Sequence, residues 1–88
     1  MEDRIRLKIV TPSGVALERD VRYVRLPTPE GSVGILANHA PMLCAVGKGR
    51  LLCRFAGEGE LSVRLGGGVA EIENNALTVL AEEASIEE

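Results

Sequence analysis

The chain has 88 residues, of which 45% are apolar, and its formal net charge at pH 7 is −3. These values favour one globular domain over residues 1–88 and exclude an intrinsically disordered chain, which is poorer in apolar residues. An acidic balance also argues against a nucleic-acid binder, which needs a basic surface. Since Tyr23 and Phe55 are the only aromatic residues, the core is expected to be aliphatic.

Neither a secretion signal nor a membrane span is expected. Met1 is followed at once by Glu2, Asp3 and Arg4 rather than by an apolar segment. No apolar run approaches the ~20 residues that a membrane-spanning helix needs. We therefore expect a soluble protein, or one that reaches a membrane through a protein partner.

The two cysteines, Cys44 and Cys53, fit a reducing compartment and lack metal-ligand spacing. The simplest interpretation is that both are small, inert strand residues. If Gly47-Lys48-Gly49 closes a hairpin, however, Cys44 lies opposite Cys53 or one residue out of register. A disulfide is then possible, although nothing in the sequence requires it.

Alternation of apolar and polar residues predicts short strands along the whole chain. In the first strand, three aliphatic residues alternate with three basic ones across residues 4–9. The predicted strands cover residues 5–9, 15–19, 21–26, 33–36, 42–46, 51–55, 61–65, 69–73 and 76–81. Strands of this length, separated by turn signals every ~8–12 residues, indicate an all-β sandwich or barrel.

Turn residues separate these strands. Pro27 and Pro29 are expected to end the third strand, and a hairpin turn is expected around Gly57. Asn74 and Asn75 predict a two-residue hairpin turn, because both tolerate the positive backbone angle that such a turn requires.

The triple glycine Gly66–Gly68 has two interpretations. A phosphate cradle normally opens a helix, whereas a strand is predicted to follow here and no Gly-Lys-Ser/Thr sequence is present. We therefore favour a bulge, or a place where another backbone packs closely.

The stretch Glu30–Pro41, EGSVGILANHAP, concentrates unusual backbone chemistry. Gly31 and Gly34 permit angles closed to other residues, or close approach of another chain, and Asn38 tolerates a left-handed turn. No nucleophile is paired with a base, and no metal-ligand spacing occurs. The stretch is therefore interpreted as a docking surface rather than an active site.

His39 is the only histidine. It is interpreted as a turn or interface residue rather than a catalytic base or metal ligand, since it has no second histidine with which to form a site. The carboxylates of Glu71 and Glu73 are interpreted as a solvated strand face. A basic row is predicted on the outer face of the first strand, either solvated or docking an acidic partner. Its members are Arg4, Arg6 and Lys8, with a possible extension through Arg19, Arg22 and Arg25.

Two longer segments carry a family resemblance. EGSVGILANHAPMLCAVGKGRL and, after a spacer, LGGGVAEIENNALTVLAEEA resemble the epsilon subunit of F-type ATP synthases and its mitochondrial counterpart, the delta subunit. The opening LKIVTPSGVALERDVRYVRLPTPEG fits the same family. The resemblance extends over residues 7–84, and three motifs occur in the expected order.

The resemblance implies a β-sandwich of about ten antiparallel strands in two five-stranded sheets. It implies a non-catalytic, cofactor-free subunit of the central stalk, which links the gamma subunit to the ring of c subunits and couples proton flow to ATP synthesis. Such a subunit associates peripherally with the cytoplasmic face of an energy-transducing membrane, most typically a bacterial plasma membrane. It is expected to bind neither nucleic acid nor a small-molecule ligand.

Residue by residue, the resemblance places Glu30, Gly31 and Ser32 toward the c-ring, and His39 and Cys44 near gamma. Ser32 stands where many members carry a second acidic residue, so Glu30 is expected to make the charged contact alone. Members that continue into a C-terminal helical hairpin do so where this chain ends. The chain is expected to be either a naturally short form, which is slightly favoured, or the N-terminal domain of a longer protein. The rival interpretation, a free-standing β-sandwich that binds a sugar-like ligand or another protein, is disfavoured by the shortage of aromatic residues.

Overall fold

In the computed structural model, the described part of the chain is residues 3–87. The interpretation of Met1 and Glu2 as a non-signal start therefore lies outside the described residues. The strands are β1 (Ile5–Thr11), β2 (Gly14–Thr28), β3 (Gly31–Leu36), β4 (Met42–Phe55), β5 (Glu60–Glu73), β6 (Ala76–Ala81) and β7 (Ala84–Glu87). Within residues 3–87, no helix has the length and apolarity needed to cross a membrane.

Three long strands pass from one layer of the fold to the other. The first layer contains β3, the second half of β2, the second half of β4, the first half of β5, and β7. The second layer contains the first half of β2, β1, β6, the second half of β5 and the first half of β4. If each half of the three long strands is counted separately, the seven strands give ten segments in two five-stranded sheets. The prediction of a two-sheet, all-β sandwich is confirmed.

The pairing differs from the prediction in one respect. β1 and β6 run parallel, with Ile9 opposite Val79, whereas the other pairings among the described strands are antiparallel. A parallel pair needs a long crossover rather than a hairpin. The chain provides it by passing through β2, β3, β4 and β5 between the two strands.

The glycine clusters form corners of long strands rather than turns between short ones. Gly47-Lys48-Gly49 closes no hairpin, since β4 continues through it and pairs with β5 on both sides. A side chain on Gly47 would come within 3.0–3.2 Å of the backbone of Thr28 and Pro29. The prediction of a turn here was wrong, because glycine permits a sharp bend within a strand as readily as a reversal.

Two strand ends also differ from the sequence prediction. β2 does not end before Pro27 but continues to Thr28, with Pro27 paired to Ser32 of β3. The pairing of β2 with β4 ends at Arg25. Proline has no backbone N–H, but at Pro27 no neighbouring strand is left on the β4 side to accept a hydrogen bond, so none is lost. β7 was not predicted at all, although Ala84–Glu87 pairs with β5.

Gly66–Gly68 is the place where β6 packs most closely on the corner of β5. A Cβ atom on Gly68 would lie against the carbonyl oxygen of Leu80 and 2.9 Å from the Cα of Ala81. Gly67 has a φ of +101°. The prediction of close backbone approach is confirmed, and a phosphate cradle is excluded because a strand, not a helix, follows the glycines.

The core between the sheets is aliphatic, as predicted. Leu7, Leu26, Leu51, Ile72 and Leu77 are among its fully buried side chains. Each such side chain contributes roughly 1.5–3 kcal/mol of transfer free energy on burial. The alternation of β1 places its aliphatic residues inward and its basic residues outward, so one face of each sheet seals the core.

The two cysteines lie on the same long strand and are both free. Cys44 pairs with Ala70, whereas Cys53 pairs with Leu61 and Val24, so the disulfide considered from the sequence does not form. Burial raises the pKa of the Cys53 thiol, while Cys44 is half-buried near a strand edge.

We expect a maleimide to label Cys44 rapidly and Cys53 only when the protein unfolds, because the thiolate is the reactive form. The measurement is the mass of the labelled protein over time, with and without denaturant. A Cys44→Ser variant is the control, and rapid labelling of that variant under native conditions would contradict the assignment.

Candidate functional site

The first loop of the Glu30–Pro41 segment is a two-residue turn, Pro29-Glu30, between β2 and β3. The Thr28 hydroxyl donates a hydrogen bond to the Gly31 carbonyl oxygen at 3.1 Å and accepts one from the Glu30 N–H at 3.3 Å. Gly31 has a φ of +135°, a value that favours glycine. The turn is therefore held by its own backbone and by Thr28, which leaves the exposed Glu30 side chain available for a partner.

The second loop, residues 37–41, is tied to the β5–β6 hairpin. The Asn38 N–H donates to the Asn75 side-chain oxygen at 2.5 Å, and the Asn75 amide donates to the Asn38 side-chain oxygen at 3.3 Å. Asn38, Asn74 and Asn75 all have positive φ. These angles confirm the prediction of turns at Asn38 and at Asn74-Asn75.

His39 is a half-buried turn residue in this second loop. Its ring nitrogen Nδ1 lies 2.7 Å from the carbonyl oxygen of Ala40, which is hydrogen-bonding distance. This contact is what the turn-residue interpretation requires. Whether His39 also contacts gamma remains a prediction.

Gly34 does not use the backbone freedom expected from the sequence. It is absent from the positive-φ glycines among the described residues, and a side chain there would meet the Tyr23 ring at 3.3 Å. Its role is to leave room for an aromatic ring of the same chain.

The residues predicted from the resemblance fall into two places. The turn carrying Glu30 and the loop carrying His39 lie at opposite ends of β3, whose six residues span roughly 20 Å. Cys44, in contrast, shares a groove of about 580 Å³ with Glu30 and Ser32. The groove lies between β3 and the first half of β4, where the two sheets leave an open seam. The structure therefore groups Cys44 with two of the residues expected at the c-ring, Glu30 and Ser32.

Sequence reasoning missed an apolar row on the outer face of the second sheet. One residue from each of five neighbouring strands contributes, and each pairs with the next across the sheet. This apolar stripe consists of Val15, Val10, Leu80, Val69 and Ala45. Val15 is 56% exposed, Leu80 50% and Val69 37%. Five strands at about 4.8 Å spacing make a stripe roughly 19 Å long.

The row beside the apolar stripe is mainly charged. It includes Glu18, Lys8 and Glu71, so water-facing residues border the stripe on that side. The row ends at Leu43, which is 73% exposed and extends the apolar surface along β4. A continuous apolar stripe on an otherwise charged face is typical of a protein interaction site.

The basic row predicted on β1 is neutralised by β2. Asp20 accepts a hydrogen bond from Arg6 at 3.0 Å and lies 3.6 Å from Arg4, while Glu18 lies 3.5 Å from Arg6. Arg19 is not an extension of the row, since its guanidinium stacks on the Phe55 ring at 3.8 Å. The solvated interpretation is therefore favoured over docking of an acidic partner.

A second ion-pair cluster fastens β7 to the first sheet. Glu87 accepts hydrogen bonds from Nε of Arg50 at 2.7 Å and from Nε of Arg64 at 3.3 Å. The hydrogen bond from Arg50 is the main reason that the pKa of Glu87 lies below its usual value, and Arg64 adds to the effect.

We expect Glu87→Gln to lower stability at neutral pH but not in acid. Because the folded-state pKa of Glu87 is lowered, its contribution is fully present above the unfolded-state pKa and is lost as pH falls through the folded-state value. Thermal melts from pH 7 to pH 2 measure this, with a difference of a few degrees at neutral pH. Glu58→Gln, which removes an exposed loop carboxylate, is the control; a pH-independent deficit for the Glu87 variant would refute the linkage.

Nothing in the described geometry resembles a catalytic or metal centre. Glu71 and Glu73 are exposed on one strand, as the solvated interpretation predicted. Residues 3–87 contain no group of three or more His, Cys, Asp or Glu side chains placed to hold a metal ion. What the described residues offer is two shaped loops and an exposed apolar stripe.

A family model described as the beta-sandwich domain of the ATP synthase Delta/Epsilon chain matches residues 4–87. This match covers nearly the whole chain and agrees with the two-sheet architecture. The chain belongs to this family.

Named relatives agree with the assignment. The chain is 43% identical to the ATP synthase epsilon chain of Maridesulfovibrio salexigens, with 96% of this chain and 58% of the relative covered. It is 41% identical to the chloroplastic epsilon chain of Cyanidioschyzon merolae, with 86% and 57% covered. The chain thus spans well under two thirds of the length of these relatives.

Solved structures support the fold. A chain in the Euglena gracilis mitochondrial ATP synthase superposes with a TM-score of 0.91 at 22% identity, with 98% of this chain and 55% of that chain covered. A chain in the central stalk and c-ring of the Tetrahymena thermophila enzyme gives a TM-score of 0.77 at 20% identity, with 92% and 65% covered. At these identities the likeness establishes the fold.

Proposed function

We propose that this chain is a non-catalytic central-stalk subunit of a proton-translocating F-type ATP synthase, where it links gamma to the c-ring and couples proton flow to ATP synthesis. Family membership supports this role. The observation that carries it on this chain is the pair of surfaces, a self-held turn presenting Glu30 and an exposed apolar stripe, because a coupling subunit needs two partners.

The turn and the stripe divide the proposed contacts. Glu30, Gly31 and Ser32 face the c-ring, where the exposed Glu30 meets polar or basic ring loops. The apolar stripe receives an apolar surface of gamma, since apolar burial gives the larger share of a stable interface. Cys44, next to Ala45 of the apolar stripe, and His39, in the loop before β4, contact gamma at the margin of the stripe.

The free-standing module is the weaker candidate. Both aromatic rings are already covered by arginines, since the Arg54 guanidinium lies 5.2 Å from the Tyr23 ring centre and Arg19 covers Phe55. A sugar would therefore find no open stacking platform on Tyr23 or Phe55. The subunit forms one domain over residues 1–88 and reaches an energy-transducing membrane through the complex, on the cytoplasmic face in a bacterium.

Reconstitution tests the proposal. The ATP synthase of the same organism, stripped of its epsilon subunit, is placed in vesicles with and without this chain. ATP-driven proton pumping is expected to return when the chain is added, and the Glu58→Gln variant is expected to act like the wild type. If the chain binds but pumping stays at the subunit-free level, the coupling role is wrong.

A further inference from the structure

The edge of β3 carries an inference that deepens the contact proposed at Glu30 and Ser32, and it rests on the proposed function. β3 ends the strand order of the first sheet, and within residues 3–87 only β2 pairs with it. An edge strand presents unpaired N–H and C=O groups that can pair with another chain. The β2–β3 register determines which backbone groups of β3 are unpaired, and the groove beside β3 determines which partner they can bind.

The β2–β3 register shows which backbone groups of β3 point away from β2. Pro29-Glu30 is a two-residue turn, so the flanking pair Thr28–Gly31 must be the hydrogen-bonded one. Counting away from the turn, bonded and non-bonded pairs alternate along β3. The backbone groups of Ser32, Gly34 and Leu36 therefore point away from β2, and all three residues are exposed.

This edge lacks the usual protection. Its sequence, GSVGIL, has no proline and no charged residue, and its pairing with β2 has no bulge. Natural edge strands are normally guarded by such features. The edge formed by β7 is different, because it carries Glu87 with its two arginines.

The space beside the edge is chemically defined. The groove of about 580 Å³ borders β3 and is lined by apolar atoms of Pro29, Val33 and Met42. Glu30, in the β2–β3 turn, also lines the groove and takes part in none of the ion pairs found among the described residues. An occupant that fits this space has an apolar side chain in the groove and a cationic side chain beside Glu30.

We propose that β3 receives an extended segment of a partner protein as an added strand. The segment hydrogen-bonds to Ser32, Gly34 and Leu36, places an apolar side chain in the groove, and carries a lysine or arginine beside Glu30. This is strand addition to an open sheet edge. A second copy of this chain fits less well, because each copy carries a net charge of −3 and two copies repel each other.

Amide hydrogen exchange measured by NMR tests the proposal. The probe is a blocked six-residue peptide of alternating threonine and valine at millimolar concentration. It has one lysine at its carboxyl end, because antiparallel pairing with β3 places that end beside Glu30. It is expected to slow exchange at Ser32, Gly34 and Leu36 by roughly threefold or more, since bonded amides exchange more slowly. The same peptide with glutamate in place of lysine is expected to protect these amides less.

Leu36→Pro and Leu36→Ala form the matched pair. Both remove the leucine side chain, but only proline removes the outward N–H, and an edge position tolerates it. The alanine variant is expected to keep the protection and the proline variant to lose it, with both still folded by circular dichroism. Unchanged exchange with the peptide, protection at Met42–Val46 instead, or protection that rises with protein concentration alone would each overturn the proposal.

Discussion

Replacing Gly68 by alanine is expected to cost roughly 3–5 kcal/mol, the size of effect reserved for a clash that packing cannot relieve. The added Cβ would meet the Leu80 carbonyl oxygen and lie 2.9 Å from the Cα of Ala81. Both obstacles are backbone atoms of a paired strand, so neither can rotate away. The central pairing of β5 with β6 would have to open.

Since a domain of this size has a total stability of only about 5–10 kcal/mol, the Gly68 variant is expected to be largely unfolded or to melt at a much lower temperature. Urea denaturation followed by circular dichroism measures the change. Gly57→Ala is the matched control, because nothing lies within 4 Å of a Cβ at that position. A change of less than about 0.5 kcal/mol is expected there. Equal stability of the two variants would show that the corner is not closely packed.

The parts of the fold that sequence predicted well are those decided by neighbours along the chain. The alternation in β1 fixes which side chains face inward, whatever strand pairs with it. Asn74 and Asn75 adopt positive φ because their own side chains tolerate it, so the hairpin was predictable. The positive φ of Gly31 was predictable for a similarly local reason, since glycine has no Cβ.

The corners were not predictable, because a distant strand decides them. Gly47-Lys48-Gly49 is equally compatible with a hairpin or with a bend in a strand. The outcome depends on β5, which pairs with β4 on both sides of the bend. β7 was missed for a similar reason, since its acidic residues suggest a solvated tail until Arg50 and Arg64 are placed beside Glu87.

The apolar stripe also depends on assembly of the sheet. Val69 and Leu80 belong to strands with apolar residues on both faces, a pattern that sequence reasoning cannot distinguish from a fully buried strand. The five members lie far apart along the chain, and only the register places them in one row. One signal was available in the sequence. Alternation places Val10, Val69 and Leu80 on the outer face of their strands, where polar residues are expected, so three apolar residues there could have indicated an interaction surface.

Leu80→Asp is expected to weaken binding to gamma by roughly 30-fold or more, which corresponds to about 2 kcal/mol at an interface hot spot. Leu80 stands at the middle of the apolar stripe, between Val10 and Val69, and is 50% exposed. A carboxylate there would be desolvated on docking without a partner from this chain. The fold should survive, since an exposed side chain can reach water, and the melting temperature should change by only a few degrees.

Two matched variants separate loss of apolar contact from added charge. Thr78→Asp places the same charge on the same strand, in the charged row beside the stripe, and is expected to weaken binding far less. Leu80→Met keeps an apolar side chain and is expected to bind like the wild type. Binding to purified gamma is measured by calorimetry beside a thermal melt of each variant. If the two aspartate variants bind equally well, gamma docks elsewhere on the sandwich, and the seam that contains Cys44 becomes the surface to test, because it borders the stripe at Ala45.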